Sequence, residues 1–136
     1  MALPFHPSPG TVVMCDFTPG FRPPEMVKLR LAVTISPKLK RRNDLVTIVP
    51  LSQSAPAPVE AWHHRIDLDL PPPWGAGARW AKCDMLATVG YARLDLPYSK
   101  HPVTGSRQRV QRMLPAADVA ALRAAIAAAL GIVIEA

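Results

Sequence analysis

Acidic residues are scarce in this chain of 136: 10 Asp and Glu stand against 16 Lys and Arg, a formal net charge of +6. Cysteine is scarcer, with only Cys15 and Cys83. Two cysteines cannot staple a disulfide scaffold, and neither sits in a Cys-x-x-Cys or Cys/His pattern of the kind that holds zinc. Both read as half-buried thiols in strands. Aromatics are only 6% of the chain, too few for an extended base-stacking surface. The most apolar stretch, Ala116 to Ile134, is mostly alanine and carries Asp118 and Arg123. It suits a helix of a soluble domain better than a membrane span. Met1 to Gly10 has neither a basic start nor an apolar run, so no signal peptide is expected and a cytoplasmic protein is the default.

Hydrophobic residues are plentiful at 49%, which argues for a packed core and against disorder. At this length one domain is expected over 1–136, with 1–8 as a flexible N-terminal segment. Proline is in excess, 16 residues where an average share of about 5% would give roughly seven. Because proline breaks helix interiors and central strands, short strands, long loops and few helices are expected.

Thr11 to Phe17 reads as a strand between Pro9-Gly10 and Pro19-Gly20. A loop over Thr18 to Lys28 leads to a second strand, Leu29 to Ser36, with Leu31, Val33 and Ile35 on one face. Lys38 to Asp44 is a basic turn. Leu45 to Val49 is a third strand, stopped by Pro50, and Val59 to Leu70 a fourth. Pro71 to Gly77 is a loop. Trp80 to Val89 reads as a fifth strand, interrupted by Gly90 before Tyr91 to Leu94. Pro97 to Ser106 is a loop and Gln108 to Met113 a short last strand. Pro115 opens a helix carrying Val119, Leu122, Ile126 and Leu130 at helical spacing, with Gly131 at its C-cap. Five or six strands followed by one helix make a mainly β chain, with a small, curved, barrel-like sheet.

Several pieces then fall into a familiar order. Pro9-Gly10-Thr11-Val12-Val13 precedes Asp16-Phe17. Gly20 and Glu25 lead to Arg30. Ala32 to Ser36 ends in Pro37. Val49-Pro50-Leu51-Ser52 follows, then Lys82-Cys83-Asp84 with Thr88, and a closing helix. From Pro9 to about Leu130 the chain resembles the MazF/PemK (Kid) toxins of bacterial toxin–antitoxin systems.

That resemblance implies an SH3-like barrel that forms a homodimer and cuts single-stranded RNA with no metal or other cofactor. It also implies a cognate antitoxin whose tail covers the cleavage groove. Arg30 matches the family's central catalytic arginine, and Ser52 stands where a catalytic threonine is usual. Glu25 matches a loop acid, and Lys82 with Asp84 an Arg/Asp pair of one branch. Arg30, Ser52, Glu25 and Asp84 are thus the implied catalytic residues. Lys28, Lys82, Gln53, Ser54, Phe21, Arg22 and Thr88 are the implied RNA contacts. Three features depart from the family: Leu31 replaces a proline, Ser52 lacks threonine's stiff χ1, and Pro97 to Ser106 is long. Two alternatives keep the fold. One is a toxin acting on DNA gyrase, as CcdB proteins do through the end of the C-terminal helix. The other is an inactive barrel that binds RNA or a protein.

The chemistry fits the residue types. RNA supplies its own nucleophile, the 2′-OH, so a metal-free enzyme must orient it, take its proton and stabilise charge on the phosphate. An arginine fork can hold two phosphate oxygens, but a guanidinium is a poor base. Arg30 is therefore expected to stabilise the transition state. Ser52 would donate to the phosphate, and Glu25 or a desolvated Asp84 would move the proton. Lys82 and Asp84, two apart in one strand, would share a face. His63 and His64 would point to opposite sides, while His6 and His101 would sit solvated in loops. Basic residues gather in Arg22 to Arg42 (seven, with Glu25 as the one acid) and in Arg93 to Arg112 (five, with Asp95). A groove lined by them would attract an RNA backbone, with Phe21, Trp62, Trp74 and Tyr98 available for stacking. Trp80 and Tyr91 are expected in the core.

Overall fold

The computed structural model describes residues 2–133. Its strands are β1 (Val12–Asp16), β2 (Leu29–Thr34), β3 (Leu45–Ser52), β4 (His63–Asp69), β5 (Ala76–Lys82), β6 (Ala87–Gly90), β7 (Leu94–Asp95), β8 (Tyr98–Lys100) and β9 (Arg107–Arg109), and one helix, α1 (Ala116–Ala129), closes the chain. Seven strands form one antiparallel sheet in the order β4-β5-β3-β2-β1-β7, with β6 also on β3, while β8 and β9 make a separate hairpin. The fold is mainly β with a C-terminal helix, a small barrel-like sheet. Among the described residues, no helix is long and apolar enough to cross a membrane.

β1 to β3 are buried on both faces, which explains their nearly unbroken apolar sequences. Alternation sends Val12 and Met14 of β1 toward the cluster that holds Leu122 of α1, and sends Val13 and Cys15 into a second cluster with Phe17, Ile48 and Leu94. Within residues 2–8, Leu3 is buried and its N–H donates to the Tyr91 carbonyl. His6, expected to be solvated, is half-buried between the Tyr91 hydroxyl (2.7 Å) and the Ser36 carbonyl (3.1 Å).

Pro50 does not stop β3, which runs on to Ser52. Along one edge β3 pairs with β6 through Ile48 and with β5 from Leu51. Thr47 turns its carbonyl to Ile35, on the β2 side. Backbone alternation therefore aims Pro50's nitrogen at the other edge, where the partner changes and no donor is needed. That change of partner also corrects the expected Trp80–Val89 strand. A 3-10 turn over Cys83–Met85 separates β5 from β6 so that both can reach β3. Asp84 lies in this turn, so it does not share a strand face with Lys82. Cys83 lies there too, not in a strand. Both cysteines are fully buried, and burial pushes each thiol up to about 12. Trp80 and Tyr91 are half-buried rather than central to the core.

The fourth strand begins at His63, because residues 59–62 turn first. The helix is as expected, within one residue of Pro115. Gly131 at φ 70° lets its N–H reach the Ala128 carbonyl and the Ile132 N–H reach Ala127, a Schellman ending. Ile134, the last residue of the apolar stretch, lies outside the described residues.

The Pro97–Ser106 loop and the Gln108–Met113 strand are corrected together. β8 and β9 form a polar hairpin, folded back so that Arg109 grips Asp95 of β7 with Nε–Oδ1 at 2.9 Å and Nη2–Oδ2 at 3.2 Å. Burial alone would raise the Asp95 pKa. The hydrogen bonds from Arg109 and the Leu96 N–H, with the charges of Arg109 and Arg107, outweigh it and leave the carboxyl below its ordinary value. A depressed folded pKa stabilises the protein above the unfolded value of about 3.9, and that stabilisation is lost as pH falls through the folded one. Asp95→Asn should therefore lower the urea midpoint at neutral pH and cease to do so in strong acid. An equal deficit at both pH values would show that the carboxylate charge contributes nothing.

Candidate active site

β2 starts directly after Lys28, which is exposed and held at φ 74°, a conformation rare outside glycine. Its carbonyl accepts the Phe17 N–H and pins the turn. Arg30 follows as the second residue of β2, in register with Cys15. It is half-buried, and its Nε donates to the Val27 carbonyl at 3.1 Å. Ser52 ends β3, 7% exposed and in register with Trp80. Its Oγ accepts the Ser54 N–H at 3.1 Å, an arrangement that leaves the hydroxyl proton free to donate.

These residues meet around a cavity of about 340 Å³ lined by Arg30, Ser52, Gln53 and Ser54, together with Leu31, Trp74 and Arg79. Among the described residues, no carboxylate and no imidazole line it. It adjoins a larger, more apolar cavity of about 690 Å³, bordered by Met14 and Tyr98 and sharing Leu29, Pro73 and Trp74 with the first. Leu31, where the resemblance leads one to expect proline, is 4% exposed and belongs to the core beside Met14. Arg79 stands outside the residues expected from sequence. It is 4% exposed, and its Nη2 donates to the Trp74 carbonyl at 2.8 Å.

The other expected residues lie elsewhere. Glu25, Asp84 and Phe21 border a separate cavity of about 350 Å³. Glu25 accepts the Arg22 N–H at 2.8 Å and so closes its own turn. Phe21 is edge-on to Phe17 and covered by Arg93, 4.9 Å from the ring centroid. Thr88 bonds Thr47 at 2.7 Å beside a third cavity, and Arg22 is exposed. Lys82 is half-buried opposite His63, and no ion pair joins it to Asp84 among the described residues. His63 accepts the Glu60 N–H, and His64 Nε2 meets Asp118 of α1 at 2.9 Å. Neither borders the Arg30 cavity. His101 is half-buried and caps its hairpin turn, accepting the Val103 and Thr104 N–H groups. Among the described residues, no group of three His, Cys, Asp or Glu is placed to hold a metal ion.

Comparison with known proteins adds to this geometry. The family model of PemK-like, MazF-like toxins of type II toxin-antitoxin systems matches residues 8–130. An uncharacterized protein of Haemophilus influenzae is 31% identical over 108 residues, covering 70% of this chain and 73% of that protein. Among solved structures, an endoribonuclease in complex with its cognate antitoxin from a mycobacterial species superposes with a TM-score of 0.61 at 18% identity, covering 96% of this chain and 100% of that one. The Mycobacterium tuberculosis toxin MazF-mt6 gives 0.58 at 17% identity, covering 93% and 100%. At such identities the structural likeness is one of fold.

Proposed function

Since this chain belongs to the PemK-like, MazF-like toxins of type II toxin-antitoxin systems, we propose that it is a metal-independent endoribonuclease acting on single-stranded RNA in the cytoplasm. The observation that carries this reading is the Arg30–Ser52 cavity, where donors converge and no acid among the described residues intrudes. A phosphodiester brings two anionic oxygens to such a site. Among the described residues Arg30 has committed only its Nε, so its other N–H groups can grip those oxygens as charge grows in the transition state. Ser52 donates its free hydroxyl proton to the same phosphate. The 2′-OH attacks in line, giving a 2′,3′-cyclic phosphate and a 5′-OH.

Glu25 and Asp84 border another cavity, so neither is placed beside this phosphate within one protomer. The 2′-OH proton then passes to water or to a phosphate oxygen, the P–O5′ bond breaks, and the leaving 5′ oxygen takes a proton from water, with electrostatic stabilisation supplying most of the catalysis. The chain works as a homodimer and is held inactive by a cognate antitoxin. The family and the antitoxin-bound mycobacterial relative support that partner.

The test is cleavage of a mixed-sequence single-stranded RNA in EDTA, with end analysis of the fragments. Cuts leaving 2′,3′-cyclic phosphate and 5′-OH ends are expected. An RNA that is bound but stays intact would reduce the protein to an inactive barrel.

A further inference from the structure

We infer that Arg79 is a second phosphate-binding residue of the Arg30 cavity, and that the cavity with its apolar neighbour holds one nucleotide of the RNA, phosphate and base. This inference rests on the endoribonuclease reading and names the substrate group that Arg79 touches.

Arg79 lies on the inward face of β5, in register with Ile66, which is 1% exposed. A guanidinium so deep is costly unless its charge is compensated. No carboxylate pairs with it among the described residues. Its partners are the carbonyls of Trp74 (2.8 Å) and, at the long limit, Ala78 (3.4 Å). Arginine has five N–H donors, so most of its capacity is unspent. The indole Nε1 of Trp74, whose carbonyl Arg79 holds, is buried without an acceptor among the described residues. Among the described residues, unspent donors of Arg79 and of the Trp74 indole thus belong to side chains lining one cavity, and the partner that would satisfy them is an anion rich in oxygen.

The neighbouring cavity narrows the choice of anion. It is mainly apolar, is bordered by the flat side chains of Trp74 and Tyr98, and shares Trp74 with the anionic site. A phosphate beside a planar, largely apolar group describes a nucleotide better than an acidic side chain of a protein.

The test measures binding of a short, fully 2′-O-methylated single-stranded RNA as a function of potassium chloride. The unaltered protein is compared with Arg79→Gln, Arg79→Lys and, as a control, Arg65→Gln, whose exposed guanidinium pairs with Asp67. Each phosphate contact on a single strand contributes about 0.7 to the slope of log K against log salt. Arg79→Gln should weaken binding roughly tenfold and lower that slope by about 0.7, whereas Arg79→Lys keeps the slope and the control changes neither. Weaker binding with an unchanged slope would make Arg79 only a clamp on the Trp74 turn and overturn the proposal. If Arg79→Gln does not fold, the Arg79 Nε–Hε resonance of the unaltered protein decides: it shifts when the strand is added, or the proposal fails. Cleavage of ordinary RNA by the unaltered protein, run alongside, separates failure of this assignment from failure of the nuclease reading.

Discussion

Arg30→Ala should lower the rate of RNA cleavage by about 10²–10³-fold, the usual cost of removing one preorganised donor from a developing charge. Single-turnover cleavage in EDTA reads the loss. Thermal stability should hardly change, because Arg30 is only half-buried and ties itself to the fold through one bond to Val27. Arg30→Lys should recover little, since a point charge does not replace a fork that takes two oxygens at once. Ser52→Ala should cost less, roughly tenfold, because it removes one neutral donor while Arg30 remains. A nuclease unaffected by Arg30→Ala would move the chemistry to another cavity, and the one bordered by Glu25 and Asp84 would be next.

Leu122→Ala should destabilise the fold by about 3–4 kcal/mol, the range for a buried leucine whose cavity cannot collapse. Leu122 is 0% exposed and joins α1 to the cluster that holds Val12, Val49 and Ile66. For a domain of this size the melting temperature should fall by roughly 10 °C. Leu122 borders none of the Arg30 cavity, so the folded fraction should still cleave RNA at the unaltered rate. Ala120→Gly, on the exposed side of the same helix, should cost only about 1 kcal/mol. Similar losses at the two positions would mean that α1 is not packed as described.

β1, β2 and the helix were legible because burial wrote itself into their sequences. Unbroken apolar residues mark strands covered on both faces, and the Val119–Leu122–Ile126 spacing marks the helix. The misread elements depend on partners distant in sequence. Pro50 is harmless only because β3 changes neighbours there, and nothing local announces that change. The Cys83–Met85 turn exists for the same reason, inside an otherwise strand-like run. The β8–β9 hairpin has too little apolar alternation to be seen, and its signal is the turn residue Gly105 at φ 71°.

The candidate site divides in the same way. The family resemblance names Arg30, Ser52, Gln53 and Ser54, and they meet because β2 carries Arg30 while the adjacent β3 ends at Ser52 and runs directly into Gln53 and Ser54. Glu25 lies five residues before Arg30, and Asp84 lies four residues after Trp80, the register partner of Ser52, but both border a different hollow. Arg79 escaped notice among small residues, Ala76-Gly77-Ala78. Its signal was register: Arg79 shares the face of Ala81, which is 0% exposed. A charge on the buried side of a strand marks a group that awaits a partner.

The central claim is that Arg30 and Ser52 act on one phosphate in one cavity. The measurement that tests it most directly is a double-mutant cycle on single-turnover cleavage in EDTA, with Arg30→Ala, Ser52→Ala and the pair. Groups that stabilise the same developing charge lose less together than the product of their separate losses. The double variant should therefore fall clearly short of that product. Losses that multiply in full would contradict a shared phosphate and separate the two residues into independent roles.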